Sequence, residues 1–189
     1  AGSAKNLFPA NGANLRNSNA VVYQTPVFNG FSGEVFYGFG EQSESSAGRQ
    51  LSAALSYANG PLNARLAYNN RNNDTATGVA PTQQRDIGHN SLLAVNYDFK
   101  VAKAFFAYGQ NKGLNSSTLP NAAAYTTAPI TASTDTRNGL VGVQIPVAAS
   151  GKVIASVIHT DDRESFNRDP NPWAIGYMKA GLKEYFKCC

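Results

Sequence analysis

A strict alternation of two kinds of side chain runs through residues 50–71 and limits what the chain can fold into. One set is apolar and comprises Leu51, Ala53, Leu55 and Tyr57, then Leu62, Ala64, Leu66 and Tyr68. The intervening set is small or polar and comprises Gln50, Ser52, Ala54 and Ser56, then Asn63, Arg65, Ala67, Asn69 and Arg71. A period of two is that of a β-strand, and Asn59-Gly60 suits the positive φ angles of a tight turn. We therefore predict a hairpin with one apolar and one polar face.

The composition narrows the environment that this apolar face can meet. Of the 189 residues only 15% are charged, whereas 42% are hydrophobic and 11% aromatic. Such a chain is too aromatic to be disordered and too poor in charge for a typical soluble surface. No apolar run approaches the ~18 residues of a membrane helix, which excludes a helical membrane protein. A membrane β-barrel stays compatible, because only every second residue of its strands faces lipid.

The same alternation predicts nine strands along the chain. They cover residues 19–26, 31–41, 50–57, 62–71, 91–99, 102–110, 137–147 and 152–160, and a last strand begins over 172–177. The connections after Pro26, Tyr57, Phe99 and Val147 are brief, whereas those near 42–48, 70–90, 111–136 and 161–171 are long and polar. Short turns at one end of the strands and long loops at the other are typical of an outer-membrane barrel.

An ordered series of short motifs extends from about residue 12 to about residue 177. It begins with Arg16-Asn17-Ser18-Asn19-Ala20-Val21-Val22-Tyr23-Gln24-Thr25-Pro26 and Phe28-Asn29-Gly30-Phe31. It continues with Tyr37-Gly38-Phe39-Gly40-Glu41, Leu55-Ser56-Tyr57-Ala58-Asn59-Gly60-Pro61-Leu62, Val95-Asn96-Tyr97-Asp98-Phe99 and Ala174-Ile175-Gly176-Tyr177. In this order and spacing the motifs resemble the general porins of Gram-negative bacteria, particularly those of the beta-proteobacterial branch.

The resemblance implies an all-β fold, an antiparallel transmembrane β-barrel in the cell outer membrane. A porin of this kind is a homotrimer of barrels with about sixteen strands, each a water-filled pore for small polar solutes and ions. We expect the chain to form a single partial barrel domain over residues 1–189, with about nine strands from the middle of the barrel and a divergent tail over 178–189. Because an open sheet in lipid leaves unsatisfied edges, we expect that this chain alone does not form a pore of the family's size.

Six charged residues are candidate pore-lining or selectivity residues. Arg16 stands where the family has an arginine before the strand that follows the constriction loop, although an ordinary loop-edge arginine is the alternative. The others lie on the polar faces of predicted strands: basic Arg65, Arg71 and Lys152, and acidic Glu34 and Asp98. Lumen charges bias which ions enter, so the basic set predicts a mild anion preference that the acidic pair opposes. A lumen also tolerates charges that do not affect conduction, which leaves the alternative of no functional role.

Tyrosines recur on the apolar faces near the ends of the predicted strands. They are Tyr23, Tyr37, Tyr57, Tyr68, Tyr97 and Tyr108. In a barrel they form the aromatic girdle at the membrane interface, where an apolar ring with a polar tip is favoured. The alternative is that the same tyrosines pack the core of a soluble protein.

Other chemistry finds little support in the sequence. Ser156 points to the opposite face of its strand from His159 and Asp161, so these residues cannot converge as a catalytic triad. His89, His159 and the Cys188-Cys189 pair lack metal-ligand spacing, and we expect no cofactor. The net charge of +4 is dispersed, which argues against nucleic-acid binding. The outer-membrane lipid is the expected partner, and the alternative function is a non-conducting β-rich surface antigen or a soluble β-barrel binding protein.

Overall fold

The strands are observed in a computed structural model, which describes residues 19–39, 49–72, 87–113, 134–147, 151–163 and 169–179. In these ranges lie β1 (Ala20–Gln24), β2 (Phe31–Gly38), β3 (Gln50–Asn59), β4 (Leu62–Asn72), β5 (Ile87–Asp98), β6 (Lys103–Gly113), β7 (Thr134–Val147), β8 (Gly151–Asp162) and β9 (Trp173–Lys179). Each strand pairs antiparallel with the next along the chain, in one nine-stranded sheet without a crossover. Within those ranges, no helix is long and apolar enough to cross a membrane.

The two faces of this sheet differ in chemistry, as the alternation predicts. We call the face that carries the large hydrophobic side chains the apolar face; it includes Leu51, Leu55, Leu66, Leu93, Phe106, Val141, Val157 and Ile175. Many of these side chains are about half exposed, with Leu66 at 53% and Val141 at 64%. Water-soluble proteins rarely expose a contiguous apolar surface of this extent. The face that carries Glu34, Ser52, Arg65, Asn69, Asn90, Lys103 and Lys152 is called the polar face.

Strand bounds differ most from the prediction next to the long connections. β4 continues to Asn72 and β5 begins at Ile87, although the sequence predicts an irregular segment from residue 70 to 90. β6 and β7 extend in the same way, to Gly113 and from Thr134. These polar segments lack hydrophobic alternation, but their backbones pair with neighbouring strands, and the side chains of Asn90, Asn111 and Thr136 bond across the sheet. Strand pairing therefore extends beyond the apolar pattern.

Connections between the strands alternate in length. The short ones cover residues 25–30, 60–61, 99–102 and 148–150, and the long ones cover 39–49, 73–86, 114–133 and 163–172. This confirms the predicted alternation, although most residues of the long connections lie outside the described ranges, as do residues 1–18. Of the predicted tail over 178–189, residues 178 and 179 belong to β9 and residues 180–189 lie outside the described ranges.

The turn between β3 and β4 is shifted by one residue from the predicted Asn59-Gly60 turn. Asn59 pairs with Leu62, so the turn consists of Gly60 and Pro61, and only Gly60 has a positive φ of 54°. Proline holds its own φ near −65°, which rules out the type I′ turn and fits type II′ with glycine first. The type I′ signature occurs instead at Asn29 and Gly30, whose φ angles are 49° and 85°. Mutual backbone bonds of 2.8 and 2.9 Å between Phe28 and Phe31 close that turn.

Candidate functional site

A continuous row of polar side chains crosses the polar face from β3 to β7. Each member is the direct register partner of the next, and the members of this polar row are Ser52, Asn69, Asn90, Asn111 and Thr136. Ser52 Oγ donates to Asn69 Oδ1 at 2.7 Å, and Asn69 Nδ2 donates to Asn90 Oδ1 at 3.2 Å. The chain of bonds continues from Asn90 to Asn111 at 2.8 Å and from Asn111 to Thr136 at 3.1 Å. Four hydrogen bonds thus link five strands through side chains alone.

The polar row arises from strand length and register. Asn69, Asn90 and Asn111 recur 21 residues apart, which is the distance that brings each to the same height on consecutive strands. The sequence interpretation missed this row, because it placed Ser52 and Asn69 on predicted strands but assigned Asn90, Asn111 and Thr136 to the long connections. The regular 21-residue spacing of asparagines was the available signal.

Beyond the row, polar side chains on β7 and β8 are buried. Asn138, Thr160 and Asp162 are each exposed by 2% or less. Thr160 Oγ1 donates to Asn138 Oδ1 at 2.8 Å, in the register position beside the row. Burial strengthens such bonds, because no water competes for the donors and acceptors.

Among the described residues, the Arg65–Glu34 and Lys103–Asp98 ion pairs lie on the polar face. The Arg65 Nη2 and Glu34 Oε2 atoms are 3.5 Å apart, and Gln24 Nε2 donates to the same carboxylate at 3.0 Å. Lys103 Nζ is 3.3 Å from Asp98 Oδ2, and the backbone N–H of Lys100 donates to Asp98 Oδ1 at 2.8 Å. Two predicted residues, Glu34 and Arg65, therefore meet, whereas the partner of Asp98 is a lysine that the sequence interpretation did not name.

The remaining predicted charges are dispersed over the face. Arg71 lies opposite Gln50 and Gly88, and Lys152 lies opposite Pro146 and Met178. Arg16 lies outside the described residues. The structure therefore places five predicted residues on one face without gathering them into one site, and their effect on conduction stays a prediction.

The six predicted tyrosines lie on the apolar face. Two aromatic pairs stand beside short connections: the Phe31 and Tyr57 rings, with centroids 4.5 Å apart, and the Tyr97 and Phe99 rings, 4.6 Å apart. Tyr68 binds His89 Nδ1 through its hydroxyl at 2.7 Å, which links β4 to β5 on this face. Tyr23, at 63% exposed, and Tyr108, at 40%, present their rings outward, and Tyr37 packs edge-on against Phe39. Their role as an interfacial girdle stays a prediction.

Reactive groups do not converge in the described ranges. Ser156 and His159 lie on opposite faces of β8, and His159 Nδ1 contacts Asn171 Oδ1. In the same part of the chain, no group of three or more His, Cys, Asp or Glu residues could hold a metal ion.

A groove of about 310 Å³ is formed beneath the polar row. The Glu34–Arg65 pair lies at one side, and Ser52, Asn69 and Asn90 form the other. Small apolar side chains separate the two sides: Ala54, Ala67 and Leu92. This groove combines an apolar floor with polar walls, which is the usual make-up of a small-molecule site.

Comparison with known families decides what kind of protein carries this sheet. Residues 1–178 match the model of the Gram-negative porin family. The chain belongs to that family. Membership assigns this porin to the outer membrane, where its strands cross the bilayer as part of a β-barrel.

Curated relatives of this porin are similar over part of its length. An outer membrane porin protein of Bordetella pertussis is 32% identical over 110 residues, which is 51% of this chain and 28% of the relative. Outer membrane porin protein 32 of Delftia acidovorans is 34% identical over 93 residues, 47% of this chain and 25% of the relative. The porin chain thus matches only about a quarter of the length of these relatives.

Solved structures show the same fold. An anion-selective porin from Comamonas acidovorans superposes with a TM-score of 0.67 at 24% identity, over 88% of this chain and 46% of that one. A loop-deletion variant of OmpT, an outer membrane protein of Vibrio cholerae, superposes with a TM-score of 0.59 at 13% identity, over 86% of this chain and 52% of that one. The nine-stranded sheet of this porin therefore has the fold of about half of each matched barrel protein.

Proposed function

We propose that this porin forms part of the wall of a water-filled outer-membrane channel, through which small hydrophilic solutes and ions diffuse passively. The observation that supports this proposal is the contrast between the two faces of one sheet. Exposed aliphatic and aromatic side chains suit lipid, whereas amides and charges suit an aqueous lumen. Such a channel needs no reacting group, so we propose no enzymatic role.

We also propose a mild preference for anions. The described polar face carries four basic side chains and three acidic ones, namely Arg65, Arg71, Lys103 and Lys152 against Glu34, Asp98 and Asp162. Four basic against three acidic side chains leaves an excess of one positive charge on the described part of this face. A ring or patch of basic side chains favours anion entry. Arg16 would add to the excess, and similarity to the Comamonas anion-selective porin agrees in sign.

Conductance in planar bilayers tests both halves of this proposal. The protein is expressed in a porin-deficient Gram-negative host, purified from its outer membrane and added to a membrane separating unequal KCl solutions. We expect discrete conductance steps, smaller than those of a sixteen-stranded porin because an open sheet does not close a pore of that size, and a zero-current potential that indicates chloride preference. The absence of steps would contradict the channel itself, and potassium preference would contradict the anion preference.

A matched pair of charge reversals makes the selectivity test specific. Lys152→Glu reverses a charge on the polar face, in β8. Lys112→Glu makes the same change on the apolar face, in β6. We expect Lys152→Glu to move the zero-current potential toward potassium preference by more than Lys112→Glu does. Equal shifts would contradict the assignment of Lys152 to the pore wall.

We further propose that the porin assembles as a homotrimer, as its family resemblance implies. Light scattering of the detergent-solubilised protein, corrected for bound detergent, measures the protein mass. A mass near three protomers is the expected result, and a monomer at all concentrations would contradict it.

A further inference from the structure

We infer that the groove beneath the polar row is a binding site for a neutral polyhydroxylated solute, a monosaccharide or disaccharide. The inference rests on the proposed channel only in that the solute reaches the groove through an aqueous lumen. It goes beyond passive diffusion, because a binding site holds its solute saturably. The chemical class of the solute is inferred from three features of the groove: its polar wall, its ion pair and its apolar floor.

The polar wall offers donors and acceptors side by side. Asn69 Oδ1 accepts from Ser52 Oγ at 2.7 Å and from Gln50 Nε2 at 2.8 Å, while Asn69 Nδ2 donates to Asn90 Oδ1. Among the described residues these bonds use both lone pairs and one of the two N–H groups of Asn69. A second N–H therefore remains for a ligand oxygen. Sugar hydroxyls, which both donate and accept, suit a wall of amides and hydroxyls better than a purely anionic or cationic ligand does.

The bonds between neighbours also hold the wall in place. Each asparagine of the row is bonded to a residue on the strand before it and to one on the strand after it. Side chains that are already ordered lose little conformational entropy when a ligand binds. The row is therefore pre-organised for hydrogen bonding.

Charge in the groove is balanced, which favours a neutral solute. Glu34 and Arg65 lie 3.5 Å apart, so the field of each is largely cancelled by the other. An anion would gain from Arg65 but would be opposed by Glu34 at nearly the same distance. A hydroxyl, in contrast, can bond to either member of the pair without a net charge.

The floor of the groove supplies an apolar contact. Ala54, Ala67 and Leu92 are half-buried and lie between the ion pair and the polar row. A sugar ring presents C–H groups on its faces and hydroxyls around its rim, so its face fits this floor while the rim meets the walls. The groove volume of about 310 Å³ is at the small end of the range for ligand sites, which limits the solute to the size of a monosaccharide or disaccharide.

A purely structural role for the polar row is the competing interpretation, since side-chain ladders also stabilise sheets. Substitution of Asn69 by leucine removes the amide at similar volume. Asn96→Leu is the matched control, because Asn96 accepts from Asn63 at 3.3 Å on the same face but does not line the groove. Ala67→Phe is a second variant, which fills the floor and leaves the row intact. Thermal unfolding of each variant monitors the fold.

The measurement is titration calorimetry of the detergent-solubilised protein with galactose, and with galacturonate as a charged ring of similar size. We expect saturable galactose binding that is weakened about tenfold or more by Asn69→Leu and by Ala67→Phe, and less than twofold by Asn96→Leu. Galacturonate is expected to bind no more tightly than galactose. If Asn69→Leu lowers the unfolding temperature but leaves galactose affinity unchanged, the row is structural and the inference is wrong.

Conductance recorded on the same preparation separates this inference from the proposed function. Conductance steps without galactose binding would overturn the binding site alone. Galactose binding without conductance steps would support the site and contradict the channel. Tighter binding of galacturonate than of galactose would overturn the assignment to a neutral solute.

Discussion

The Glu34 carboxylate on β2 lies 3.5 Å from the Arg65 guanidinium on β4, so the pair reaches across the intervening strand β3. The residues facing them on β3 are Ala54 and Ser56, whose short side chains leave room for the contact. Both charged side chains keep substantial exposure, 36% for Glu34 and 51% for Arg65. Exposed pairs of this kind stabilise a fold by only ~0–1 kcal/mol, so we expect this pair to contribute little to stability.

Neutralising one member of this pair at a time is expected to shift ion selectivity in opposite directions. Glu34→Gln leaves Arg65 without its counter-charge and should strengthen chloride preference. Arg65→Gln leaves Glu34 and should move the zero-current potential toward potassium. The shifts should be larger in 0.01 M than in 1 M KCl, because the Debye length falls from ~30 to ~3 Å. Planar-bilayer recordings in salt gradients measure them.

The double variant Glu34→Gln/Arg65→Gln serves as the control, because it removes both charges. Its selectivity should lie close to that of the natural protein. If the zero-current potential shifted in the same direction in both single variants, the shifts would not arise from the charges of Glu34 and Arg65, and the prediction would be contradicted.

Arginine on the apolar face is expected to be far more costly than arginine on the polar face of the same strand. Leu66 is 53% exposed on the apolar face, and its neighbour Ala67 faces the opposite side. Leu66→Arg should lower the free energy of unfolding in lipid vesicles by ~2–4 kcal/mol, since lipid-facing arginine has about that cost near the bilayer midplane. Ala67→Arg should lower it by less than ~1 kcal/mol. Urea unfolding in vesicles gives both values, and equal losses would contradict the assignment of the faces.

The single tryptophan, Trp173, reports directly on the environment of the apolar face. It begins β9 and is 45% exposed there. We expect its fluorescence in lipid vesicles to be quenched strongly by brominated phospholipid chains and weakly by aqueous iodide. Strong quenching by iodide alone would place Trp173 in water and would contradict lipid contact at this end of β9.

Two turn glycines should differ in their tolerance of alanine. At Gly30, where φ is 85°, an added Cβ would lie 2.6 Å from the Ala58 carbonyl oxygen. At Gly60, where φ is 54°, a Cβ would have no neighbour within 4 Å. Gly60→Ala should therefore cost only the ~1–2 kcal/mol of a left-handed backbone. Gly30→Ala adds a backbone clash and should cost ~3 kcal/mol or more.

Urea unfolding in detergent micelles measures the two turn variants. A Gly30→Ala variant as stable as Gly60→Ala would show that the first hairpin moves away from β3. It would then contradict the close contact between Gly30 and Ala58, whose N–H donates to the Gly30 carbonyl at 2.8 Å.

Strands and faces were predictable from the sequence because alternation is a local property. The side chains of Leu51 and Leu66 are two examples that lie on the predicted face. Strand ends such as Asn72 and Ile87 were not predictable in this way, since pairing with a neighbour extends them without any apolar pattern. The Gly60-Pro61 tip differed because the fixed φ of Pro61 overrides the preference of Asn59-Gly60.

By itself, the sequence determined that nine strands form, that each has an apolar and a polar face, and that Glu34, Arg65, Arg71, Asp98 and Lys152 share the polar one. Only the tertiary structure decided which of these residues meet. The Glu34–Arg65 pair and the polar row from Ser52 to Thr136 depend on register, which is set by backbone pairing between each strand and the next. A slip of one residue would turn each strand's polar side chains to the other face, so only the assembled sheet brings the row together.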